Sequence, residues 1–89
     1  MSHTSEEETQ KLLDKTGKKI TIGGIYSHYK NPQNTYKVLN LAIQEATEKV
    51  CVIYQAQYGR KLIWVRDLDN WLESVELDNK IVPRFTKIS

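Results

Sequence analysis

From Val50 to Tyr58 the chain alternates without a break: Val50, Val52, Tyr54, Ala56 and Tyr58 fall on one side, and Cys51, Ile53, Gln55 and Gln57 on the other. A period of two sustained over this length, rich in β-branched and aromatic side chains, predicts a strand at or near the centre of a sheet. A central strand needs a neighbour on each edge, so the rest of the chain has to supply them.

The flanking segments do so. Ile20, Ile22, Gly24, Tyr26 and His28 alternate with Thr21, Gly23, Ile25, Ser27 and Tyr29, which predicts a first strand over 20–29, bent at the glycine pair. Lys30-Asn31-Pro32-Gln33-Asn34 reads as a turn, 35–43 as a second strand, and the polar run 44–49 as the connection to the third. Beyond the central strand, Gly59-Arg60 offers a two-residue hairpin turn with glycine at its first central position. That register sets Ala56 against Ile63 and Tyr54 against Val65, sending Ile63 and Val65 inward and leaving Trp64 and Arg66 on a mixed polar face. A loop one residue longer inverts the two faces. Asp67 then caps a single helical turn whose apolar residues Leu68, Trp71 and Leu72 plug one end of the sheet. Val75 and Leu77 continue the alternation, 78–80 turns the chain, and 81–88 forms a last strand that Pro83 marks as an edge or a bulge.

Residues 1–19 follow a different pattern. Ser5 and Glu8 make a capping box and Gly17 stands where a helix C-terminal glycine belongs, so a short N-terminal helix is expected. With only Leu12 and Leu13 to dock it, a flexible appendage is the competing expectation. The chain therefore divides into residues 1–19 and a domain over 20–89. Short strands, turns about every ten residues and almost no helix predict a mainly β fold: a small roll or barrel of five to six antiparallel strands with one short helical turn.

Composition narrows the function classes. With 39% hydrophobic and 27% charged residues, wholesale disorder is excluded, and no apolar run is long enough to span a bilayer, so no membrane partner is expected. A net charge of +2 leaves the partner open. One cysteine excludes an internal disulfide framework and multi-cysteine zinc patterns. His3 and His28 lie in unrelated segments, and 67–70 lacks the spacing of a calcium loop, so neither metal nor cofactor is expected. The start of the chain is acidic where a signal peptide would be basic and then apolar, which points to the cytoplasm.

Five blocks in order carry a family resemblance: Ile25-Tyr26-Ser27-His28-Tyr29-Lys30, Tyr36-Lys37-Val38-Leu39, Tyr54-Gln55-Ala56-Gln57-Tyr58-Gly59, Leu62-Ile63-Trp64-Val65-Arg66 and Val82-Pro83-Arg84-Phe85. Over residues 23–88 the chain resembles the small bacterial domain-of-unknown-function family DUF1653. The resemblance implies an SH3-like β-roll and implies no activity. The chain departs from the family's usual pattern at Ser27, where arginine is common, at the longer turn Asn31-Pro32-Gln33-Asn34, and at Asp67 in place of a proline. Those changes weaken any basic cluster around His28.

Tyr54, Trp71 and Phe85 read as core by their apolar context. Tyr26, His28, Tyr36, Trp64, Arg66 and Arg84 are the candidate ligand-binding residues, forming an aromatic and basic face of a non-enzymatic module for a peptide, a nucleic-acid segment or a small ligand. The plainer readings make His28 a strand histidine bonded to a neighbouring turn, and Trp64 a cover for the second face of the sheet. A second function class is a small enzyme or accessory domain with a cleft near His28 and Cys51, although a lone strand cysteine is ordinarily a small buried hydrophobe. A third is a structural module that self-associates through the edge containing Pro83.

Overall fold

The alternating run becomes a strand with a partner on each edge. In the computed structural model, which describes residues 5–89, the chain forms α1 (Glu6–Gly17), β1 (Ile25–His28), β2 (Asn31–Gln44), β3 (Lys49–Ala56), β4 (Ile63–Asp67), α2 (Leu68–Trp71), β5 (Ser74–Leu77), β6 (Lys80–Pro83) and β7 (Phe85–Lys87). Residues 1–4, His3 among them, lie outside the described residues. One antiparallel sheet has the order β4-β3-β2-β1-β7, and β5 and β6 form a separate hairpin. The fold is mainly β, with seven strands where five to six are predicted, because the last predicted strand is cut at Arg84 into β6 and β7. α1 is capped as its sequence predicts, the Ser5 hydroxyl accepting the Glu8 N–H at 3.2 Å.

Laid flat at ordinary strand spacing, β4 and β7 would stand about 19 Å apart. Instead the guanidinium of Arg66 on β4 sits 5.2 Å from the ring centre of Phe85 on β7, so the sheet is curled into an open roll. Its inside holds Ile20, Tyr26, Val38, Val52, Tyr54, Trp71 and Phe85. Trp71, delivered by α2, lies flat on Phe85 at 3.7 Å with a 4° interplanar angle. Tyr26 and Tyr54 meet the indole edge-on at 5.4 and 5.0 Å.

Three stretches depart from the sequence reading, each for a local reason. Residues 20–24 are a turn and not a strand: Gly24 donates to the Thr21 carbonyl at 3.0 Å, and Gly23 has a φ of 86°. A Cβ on Gly24 would stand 3.0 Å from that carbonyl oxygen and 3.2 Å from the Tyr26 ring, so a side chain there would press on the turn and the core ring. The reverse turn before β2 is Tyr29-Lys30 and not the 30–34 cluster. His28 pairs with Asn31, Ser27 pairs with Thr35, and Pro32, Gln33 and Asn34 are absorbed as a bulge between them.

The β3–β4 hairpin is the third departure. Beyond the bond from the Ala56 N–H to the Leu62 carbonyl at 3.0 Å the two strands separate, and Gly59 and Lys61 take positive φ of 58° and 55°. The loop therefore spans 57–61, and the register becomes Gln55↔Ile63, Tyr54↔Trp64 and Ile53↔Val65. This inverts the predicted faces. Trp64 and Arg66 share the side of Tyr54 and Val52, whereas Ile63 and Val65, expected inward, point out and are 60% and 65% exposed.

If the Trp71–Phe85 stack closes the roll, Trp71→Ala lowers unfolding stability by about 3–5 kcal/mol. Phe85→Leu, which keeps an apolar group but removes the flat partner, costs at least about 1 kcal/mol. Urea titrations followed by circular dichroism measure both, and an unchanged midpoint for Trp71→Ala refutes the closing role.

Candidate functional site

Strand alternation and the curl together place one set of polar and aromatic groups on the inner rim. Trp64 stands directly across from Tyr54, and because β4 is an outer strand the indole remains 50% exposed. Arg66, two residues on and on the same face, lies opposite Val52. Its Nε donates to the Tyr54 hydroxyl at 3.4 Å and its Nη1 donates to Asn70 Oδ1 at 2.5 Å. Those two partners hold the guanidinium over Phe85, in a cation–π contact.

His28 ends β1 beside the same ring. Its imidazole lies 4.8 Å from Tyr29 and 4.9 Å from Phe85, and its Nδ1 accepts the Lys30 N–H at 3.2 Å. An accepting Nδ1 puts the proton of the neutral ring on Nε2. Burial lowers the His28 pKa below its ordinary value of 6.5, and the nearby charges of Arg66, Arg84 and Lys30 lower it further. The site is therefore a neutral imidazole in a positive field.

Arg84, at the bend between β6 and β7, crosses the Tyr29 ring at 5.9 Å and bonds Glu73 at 3.1 Å. Its Nε is buried without an acceptor. Tyr36 of β2 shares a 2.6 Å hydrogen bond with the Tyr58 hydroxyl and meets Tyr54, Tyr58 and Phe85 edge-on. Burial, with Tyr58 next, pushes the Tyr36 phenol up to about 12, so Tyr36 is neutral at physiological pH.

Of the sequence candidates, His28, Tyr36, Arg66 and Arg84 thus gather around Phe85 and Tyr54, with Trp64 on the rim. Tyr26 stands apart. It is 6% exposed in the core, and its hydroxyl accepts the Thr21 N–H at 3.0 Å. Sequence reasoning missed Asn70 and Glu73 as neighbours of this cluster; the helical spacing of Asn70 from Arg66 on a strand–helix junction was the available signal.

The structure does not bring Cys51 to His28. Cys51 alternates with Val52 and Tyr54 and so faces the other side of the sheet, where its thiol donates to Asp67 Oδ1 at 3.5 Å. Burial pushes this thiol's pKa up, and the Asp67 carboxylate adds to the rise. Asp67 opens α2 by position, as predicted, yet its side chain makes no cap hydrogen bond. Among the described residues no three of His, Cys, Asp and Glu gather where a metal ion could sit. A recess of about 470 Å³ lies between α1 and the β2–β3 hairpin and shares no lining residue with the aromatic and basic face.

Comparison with known proteins agrees with this architecture. The model of a family described as a protein of unknown function, DUF1653, matches residues 24–87. The crystal structure of a DUF1653 protein from Bordetella bronchiseptica is similar with a TM-score of 0.65 and 34% identity, covering 74% of this chain and 85% of that one. Among curated proteins none matches the chain.

Two measurements follow from the site's electrostatics. Because the folded-state pKa of His28 is lowered, the folded protein binds fewer protons than the unfolded one below pH 6.5, so His28 makes stability fall as pH drops through 6.5 toward its folded pKa. His28→Asn, which retains an acceptor for Lys30, should show a flatter melting temperature between pH 7.5 and 5.5 than the parent. Equal slopes would remove His28 from the titration. Cys51 should react slowly with a thiol reagent in the native state near neutral pH and quickly once unfolded. Rapid native labelling would contradict the buried, raised-pKa thiol.

Proposed function

The chain belongs to the DUF1653 family of proteins of unknown function, and from there we propose that this domain is a non-enzymatic binding module for single-stranded nucleic acid, laid across its aromatic and basic rim. The observation that carries the reading is the charge of Arg66: its hydrogen-bond partners, Tyr54 and Asn70, are neutral, so they orient the guanidinium without cancelling it. Arg84 and Lys30 add to the same field at His28. Beside these cations the chain exposes ring surface, Trp64 at 50% and Tyr58 at 41%. Flat π-surfaces next to guanidinium groups suit alternating bases and phosphates, because any base stacks and any phosphate pairs. A half-exposed rim suits an extended polymer better than a small molecule, which binds best when most of its surface is enclosed.

The test is fluorescence anisotropy of a labelled oligothymidylate titrated with protein at several salt concentrations. Binding is expected, and it should weaken steeply as salt rises. Trp64→Ala should weaken it by about 5- to 150-fold, the equivalent of one lost base stack. Arg66→Gln should lower the slope of log affinity against log salt by about 0.7. Circular dichroism checks that both variants keep the fold. Binding to a glutamate-rich peptide with none to the oligonucleotide would reassign the partner to acidic protein segments, and binding to neither would sink the reading.

A further inference from the structure

β4 is an outer strand of the five-stranded sheet, and neither proline nor lysine interrupts Ile63-Trp64-Val65. Proteins usually blunt such an edge with those residues, with a bulge or with a covering segment. Here the strand keeps an ordinary register with β3, and Ile63, Trp64 and Val65 are 60%, 50% and 65% exposed. Its hydrogen-bonding parity is fixed by the hairpin. Ala56 donates to the Leu62 carbonyl at 3.0 Å, so Leu62, Trp64 and Arg66 turn their backbone groups toward β3. Ile63 and Val65 therefore turn their N–H and C=O groups outward along the open edge.

We propose that a second copy of this chain completes that edge, β4 against β4 in antiparallel fashion, about a two-fold axis passing through Trp64. The strand is self-complementary in this register. Ile63 exchanges both backbone hydrogen bonds with the partner's Val65, and each apolar side chain meets an apolar one on the outer face. Leu62 lies along the stem of the partner's Arg66. Trp64 meets its own copy in a non-hydrogen-bonded pair, where facing Cα atoms are about 4.5 Å apart and side chains are in closest contact.

The neighbouring registers lack this match. An axis through Val65 sets Ile63 against the partner's Asp67, and an axis through Ile63 carries Val65 past the start of the partner's β4 into its 57–61 loop. A one-residue slip is excluded because it would set inner-face side chains against outer-face ones. Pro83, by contrast, has no N–H with which to extend a ladder at β6. This inference uses the backbone of β4 and stands independently of the nucleic-acid reading.

The experiment is sedimentation equilibrium of the full chain over a range of concentrations, with a proline placed to separate edge from fold. Val65→Pro removes an N–H that points away from β3, so it spares the β3–β4 ladder while deleting a bond at each end of the two-fold interface. The parent chain should dimerise with rising concentration, and Val65→Pro should weaken the dimer about tenfold or more at unchanged circular dichroism. Trp64→Cys supplies a second readout: at the axis its Cα separation suits a disulfide, so mild oxidation should yield covalent dimers, whereas Ile63→Cys should not cross-link to itself. A parent chain that stays monomeric at its highest soluble concentration overturns the proposal. So does a Val65→Pro protein that dimerises as well as the parent, or, should that variant unfold, a Trp64→Cys protein that remains monomeric on oxidation.

Discussion

Everything on the inner rim depends on one contact, the flat stack of Trp71 on Phe85. α2 is only four residues long and has no stability of its own as an isolated helix. It holds its place because Trp71 is pinched between the Phe85 ring and the edges of Tyr26 and Tyr54. The same contact ties the chain that follows β4 to β7 at the far side of the sheet, which is what a curl requires. An uncurled sheet would leave Arg66 and Phe85 on opposite flanks with no shared surface.

Phe85 thus joins the core to the aromatic and basic rim. Trp71 stacks on it, Arg66 lies over it and His28 meets its edge. An arginine beside a buried ring has to be held by hydrogen bonds that do not neutralise it, and the Tyr54 hydroxyl and the Asn70 amide do that. Burial first and the positive field second keep His28 unprotonated, with its Nδ1 occupied by the turn at Lys30. A neutral histidine in this position is a structural acceptor that leaves the field unopposed.

How much of this was legible follows the range of the interactions concerned. β3, the Ser5–Glu8 cap and the turn at Asp78-Asn79, with φ of 52° and 65°, are written in neighbouring residues and read correctly. Tyr54, Trp71 and Phe85 were legible as core from apolar context. The β3–β4 register was not, because Gly59-Arg60 suits a two-residue turn as well as it suits the longer loop in which Gly59 and Lys61 both take positive φ. The inner-rim cluster was legible in its residue types and hidden in its geometry: Glu73 joins it because the bend at Arg84 reaches it, and the same bend lays Arg84 across the Tyr29 ring that already flanks His28. Cys51 and His28 looked like partners only because residue types were considered without the faces that strand alternation assigns them.

The inverted register also separates two tasks on one strand. Trp64 and Arg66 turn side chains to the inner face and backbone groups to β3, while Ile63 and Val65 turn backbone groups to the open edge. A strand with this alternation can extend its sheet while its inner-face side chains stay where they are. A two-fold axis normal to the sheet keeps both inner faces on the same side, so two copies joined along β4 would set their indoles together at the centre of one longer platform. On the proposed reading, a polymer crossing that platform would engage the second site at the high effective concentration fixed by the first, so that weak sites of modest net charge would suffice for firm binding.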